Sequence, residues 1–130
     1  MPSEIRHVLF RPAEVIDAIR LYHQRLGSPL PTGTVSRCGP EIDGAGGNVR
    51  FRITVQPDRS RDAASSAVQE LIEVVVEGSN LAAALILYCR ERQVPLPAGA
   101  HKSLQCFGEQ VGLVATMNTR MEVSQQILRI

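Results

Sequence analysis

Slid against itself by 66 residues, the chain matches without a gap at Val8/Val74, Ala18/Ala84, Leu21/Leu87, Tyr22/Tyr88, Pro29/Pro95, Leu30/Leu96, Pro31/Pro97 and Gly33/Gly99. Chance alone would leave far fewer identities in so short a window. Conservative pairs continue the pattern: Ile5/Leu71, Leu9/Val75, Phe10/Val76, Val15/Leu81 and Ile19/Leu85. Internal similarity constrains a fold more than any local signal, because both segments must then adopt one backbone plan. The chain reads as a duplicated β-α-β-β unit within a single domain over residues 1–130, with unit one at residues 5–56 and unit two at residues 71–117. A polar linker at residues 57–70 joins them, and a short C-terminal helix at residues 119–130 follows.

Each unit receives one consistent reading. Residues 5–10 and 71–77 are short apolar runs, β-branched in the second copy, and predict strands. A helix follows each. In the first, Pro12 suits the opening turn, Glu14 and Asp17 lie near the positive end of the dipole, and Gly27 supplies a stop. Val15, Ile19, Tyr22 and Leu26 share one helical face. In the second, Ser79 or Asn80 can cap, and Leu81, Leu85 and Tyr88 repeat that face. Ala82, Ala83, Ile86 and Leu87 make this helix apolar nearly all round, which predicts a central position or a partner.

The Pro-Leu-Pro after each helix cannot continue it and leads extended backbone back toward the strands. Two strands complete each unit, at residues 34–38 and 48–55, then at 101–107 and 110–117. Val49, Phe51, Ile53 and Val55 alternate with Arg50, Arg52 and Thr54, the clearest strand pattern in the chain. Glycine-rich residues 41–47 predict a hairpin loop, and Gly108-Glu109 a tight turn. Thr119 and Glu122 have capping-box spacing ahead of an apolar stripe of Val123, Ile127 and Ile130. The expected class is α+β: about six mostly antiparallel strands in one sheet, with the two main helices on one face.

With 44% apolar and 21% charged residues, the chain is in the globular range. There is no Trp, so the core must rest on aliphatic side chains. Thirteen arginines against a single lysine, Lys102, point to a GC-rich, bacterial genome. The net charge is +1, with 9 basic against 7 acidic residues through residue 66 and 5 against 6 after it, which argues against a nucleic-acid partner. The first ten residues lack a secretory layout, and the longest apolar run, residues 81–89, falls short of a membrane span. Three cysteines without CxxC spacing fit reduced thiols in the cytoplasm.

Candidate chemistry is sparse. Arg37, Arg50 and Arg52 on an open sheet face could clasp phosphates or an acidic partner, although that face offers no aromatic for base stacking. The equivalent face of unit two, with Gly112, Val114 and Thr116, is apolar and predicts a homodimer interface. Cys89, His101 and Cys106 could converge, but their spacing fits no zinc module. Lys102 and Ser103 are adjacent on a strand and face opposite ways, so they cannot form a Ser/Lys pair. Asp43-Gly-Ala-Gly-Gly-Asn48 lacks the Lys-Ser/Thr of a P-loop.

Read with His7 and Glu73 at equivalent first-strand positions, the duplicated plan resembles the vicinal-oxygen-chelate superfamily, which pairs two β-α-β-β-β modules. The resemblance implies metal ligands on first and last strands. Here each unit is one strand short, and the last strands carry no His, Asp or Glu. An alternative expectation is a small-molecule-binding protein or metal-dependent enzyme with its pocket between the two units, near Tyr22, Tyr88 and His101. The leading expectation is different: a non-enzymatic, homo-oligomeric protein-interaction or regulatory module, with no cofactor, no metal and no catalytic set.

Overall fold

The computed structural model describes residues 3–42, 44, 47–57, 70–97 and 99–118. The elements run β1 (Ser3–Phe10), α1 (Pro12–Leu26), β2 (Gly33–Ile42), β3 (Val49–Pro57), β4 (Ile72–Glu77), α2 (Gly78–Glu91), β5 (His101–Phe107) and β6 (Gln110–Asn118). The expected C-terminal helix and nearly all of the expected linker lie outside the described residues.

Local chemistry accounts for the boundaries. Pro12 opens α1, and the Arg11 backbone N–H donates to Glu14 Oε1 at 3.0 Å, satisfying a donor that the helix leaves free. Gly27 closes it at φ +77°: its N–H donates to the Gln24 carbonyl at 3.2 Å and the Ser28 N–H to the His23 carbonyl at 3.0 Å. α2 starts at Gly78, after Glu77 and one residue ahead of Ser79, and no side chain caps it. It ends like α1. Gln93 adopts φ +58°, its N–H donates to the Arg90 carbonyl at 3.3 Å and the Val94 N–H to the Cys89 carbonyl at 2.8 Å. All four of these positions lie 66 residues beyond their α1 counterparts. The β5–β6 turn is the glycine-first, two-residue hairpin, with Gly108 at φ +65°.

The strands divide between two antiparallel sheets, ordered β1-β6-β5 and β2-β3-β4, instead of the single sheet expected. Each sheet takes a hairpin from one half of the chain and an edge strand from the other. β1 pairs along β6 from Ser3↔Asn118 to Phe10↔Val111. β4 pairs with β3 from Ile72↔Val55 to Glu77↔Arg50. Exchanging the first four elements for the last four leaves this arrangement unchanged: α1 touches β1, β2 and β6, and α2 touches β4, β5 and β3. The sheets approach each other at β2 and β5 without ladder hydrogen bonds between them.

One core joins all of this. Val15, Ala18 and Ile19 of α1 and Leu81, Ala84 and Leu85 of α2 are fully buried, and the helices pack on each other. Phe51 and Ile53 of central strand β3 and Val111 and Leu113 of central strand β6 close the cluster. Leu26 departs from the expected helical face: it lies in the last turn of α1 and is 59% exposed. The outward flanks of α2, Ala82, Ala83, Ile86 and Leu87, remain half-buried. No helix among the described residues is long and apolar enough to cross a membrane.

Candidate interaction surfaces

Strand alternation gives each sheet an outer face, turned away from the shared core. The two faces differ sharply in chemistry. On β2-β3-β4 the cross-strand rows are Glu41–Arg50–Glu77, Gly39–Arg52–Val75 and Arg37–Thr54–Glu73. Glu41 lies between two arginines, its Oε2 3.0 Å from Arg50 Nε and its Oε1 2.7 Å from Arg52 Nε. Arg52 Nη1 also meets Glu73 Oε2 at 2.7 Å, and Arg50 Nη1 lies 3.6 Å from Glu77 Oε1. The Arg52 hydrogen bond, more than that of Arg50, holds the Glu41 carboxyl below the usual carboxylate range. Arg50 and Arg52 are therefore occupied by carboxylates, and three acids balance three arginines on this face. A phosphate would have to displace these acids, so the arrangement does not form the open cationic clasp read from the alternating arginines.

On β1-β6-β5 the outer rows are Leu9–Gly112–Gln105, His7–Val114–Ser103 and Ile5–Thr116–His101. Gly112 is needed here: a Cβ on it would lie 2.3 Å from Phe107 Cε2, because the Phe107 ring folds across the strand. The same ring stands 5.6 Å from the His7 ring, centroid to centroid. Gly112 and Val114, expected to be bare, are thus buried by their own chain. The exposed apolar surface of this face is formed by other residues: Leu9 and Phe107, which lie over Gly112 and are 46% and 36% exposed, and Ile5, which is 62% exposed. Sequence reading missed Phe107 because it sits beside the β5–β6 turn; the signal was an aromatic two residues from a strand glycine on the neighbouring register.

The remaining candidates do not converge. Tyr22 donates to Asn80 Oδ1 at 3.3 Å, linking α1 to the first turn of α2. Tyr88 packs edge-on against Phe10, centroids 6.1 Å apart, with the Arg92 guanidinium 5.1 Å from its ring centre. Arg25 and Glu91, also 66 residues apart, form an ion pair at the helix ends. His101 lies on the outer sheet face, whereas Cys89 and Cys106 point into the core. Burial pushes the Cys89 and Cys106 thiols up, and burial with the nearby Glu109 charge does the same to Cys38. His7 and Glu73 stand on the outer faces of different sheets, and Glu73 is engaged by Arg52. Among the described residues, no three His, Cys, Asp or Glu side chains gather as a metal site.

Grooves occur beside each Pro-Leu-Pro exit. One, of about 390 Å³, is lined by Arg20, Gln24, Leu30 and Pro31 among others. The other, of about 350 Å³, is lined by Ile86, Arg90, Val94, Leu96 and Lys102. Comparison of the chain with protein-family models, curated proteins and solved structures gives no match.

Proposed function

We propose that the chain is a non-enzymatic protein-interaction module that self-associates through the outer face of β1-β6-β5. The carrying observation is that Ile5, Leu9 and Phe107 are all exposed around His7 on one sheet face, whose counterpart in the other sheet is charged and internally neutralised. Apolar area removed from water contributes about 25 cal/mol per Å², so a surface of this kind favours association. A second copy rotated by a twofold would present the same residues to themselves and close the assembly at two. The two halves, on this reading, descend from one β-α-β-β unit; the matched helix ends and the exchange-invariant pairing support it. A bacterial cytoplasm fits three cysteines that are all unpaired.

Light scattering of the purified chain tests the reading. The expected mass at micromolar concentration is twice 14.2 kDa. A double variant, Ile5→Glu with Leu9→Glu, is expected to be monomeric with an unchanged far-ultraviolet spectrum, since both side chains are largely exposed. A monodisperse wild-type monomer would remove the proposal.

A further inference from the structure

The groove beside α2 carries chemistry that its counterpart beside α1 lacks. Ile86 and Arg90 stand one turn apart on α2, Val94 and Leu96 come from the Pro-Leu-Pro exit, and Lys102 reaches in from β5. In the first half, the positions of Ile86, Arg90 and Lys102 under the 66-residue offset are Arg20, Gln24 and Ser36. The fold therefore supplies a hollow at both exits, and only the second half lines it with an aliphatic floor and two cations.

Lys102 is the more informative of the two. It is the single lysine of the chain, and alternation along β5 puts it on the core-facing side with Leu104 and Cys106. The residue is half-buried, and an ammonium carried at the mouth of a groove attracts an anionic partner. Among the described residues its Nζ donates to the Ala100 carbonyl alone, at 3.4 Å. Among the described residues neither Lys102 nor Arg90 forms an ion pair: the pairs are those of Arg25, Arg50 and Arg52. Glu91, next to Arg90 in sequence, is turned to Arg25 of the other helix.

We propose that this groove binds a small aliphatic carboxylate. Arg90 offers a planar fork suited to a carboxylate, Lys102 adds a point charge, and Ile86, Val94 and Leu96 offer a floor for an unbranched or branched alkyl body. Among the described residues no aromatic lines the groove to favour a ring by stacking. Its volume, about 350 Å³, is at the small end of ligand sites, which limits the guest to a short chain.

Titration of the ¹⁵N-labelled full chain with sodium octanoate, followed by amide shifts, tests the site. The expected result is saturable shifts at Ile86, Val94, Leu96 and Lys102. Octan-1-ol, which lacks the charge, should bind at least about tenfold more weakly, as should octanoate to Arg90→Gln or Lys102→Gln, since each loses a charge-assisted hydrogen bond. Absence of saturable shifts at these residues, equal binding of the alcohol, or unchanged affinity in both variants would overturn the proposal. So would shifts confined to Ile5, Leu9 and Phe107, which would report the outer sheet face. The mass measurement above is independent of this site, so either proposal can fail alone.

Discussion

Glu41 sits opposite Arg50 on the adjacent strand and also reaches Arg52, so one carboxylate organises two guanidinium groups. Its proton affinity is lower in the folded chain than in the unfolded one, mainly through the Arg52 hydrogen bond. A depressed carboxyl contributes stability that is present above its unfolded value, about 4.3, and is lost as pH falls through the folded value. Glu41→Gln should therefore melt below the wild type at neutral pH, and the two melting temperatures should converge as the solution is acidified below about pH 4. A difference that widens toward acid would contradict the assignment. The arginines of this face were legible in the alternation of residues 49–55, but their partner was not. The strand was expected to stop at Cys38, ahead of Gly39 and Pro40, whereas β2 continues through both to Ile42. A proline is tolerated there because β2 is an edge strand, where an N–H is not required on the outer side.

At the level of elements, the two helices end in the same hydrogen-bonded turn on unequal residues. Gly27 takes the left-handed conformation without penalty, while Gln93 takes it at φ +58° against the clash of its own Cβ. Nothing lies within 4 Å of a Cβ built on Gly27, so its substitution tests backbone preference alone. Gln93→Gly should stabilise the chain by about 1 kcal/mol and Gly27→Ala should destabilise it by about the same amount, both read from denaturant midpoints at constant slope. Opposite signs would mean the turns are not held as described. The stop at Gly27 and the turn at Gly108 were legible because glycine has a specific backbone use at each. Helix periodicity was less complete. It assigned Leu26 to the face of Val15, Ile19 and Tyr22 by angle alone, and an angle says nothing about whether packing continues to the end of a helix. Leu26, in the last turn of α1, faces water.

For the whole molecule, the 66-residue offset led to an expectation of two similar halves and was silent on how strands are shared between them. Alternation fixes which side chains face the core; it leaves open which strand lies beside which, and an edge strand satisfies its ladder equally well in its own half or in the other. The chain uses the other. Among the described strands β1 pairs with β6 and β4 with β3, and in those positions Phe10 and Val76 lie in the core and Val8 packs against it. Burying Phe10 alone represents about 1.5–3 kcal/mol, and in a marginally stable domain a loss of that size matters. A segment of residues 1–57 would retain the β2–β3 hairpin and α1 but lose β4 and leave β1 without a ladder partner. It should be unfolded alone, or should pair with a second copy of itself, β1 of each taking the place of the missing edge strand on the other's β3. Circular dichroism with light scattering distinguishes these states, and addition of residues 70–130 should restore a one-to-one complex with the native spectrum. A cooperatively folded monomer of residues 1–57 would show that each half closes its own sheet. In that case the exchange of β1 and β4 would not be what holds the two halves together.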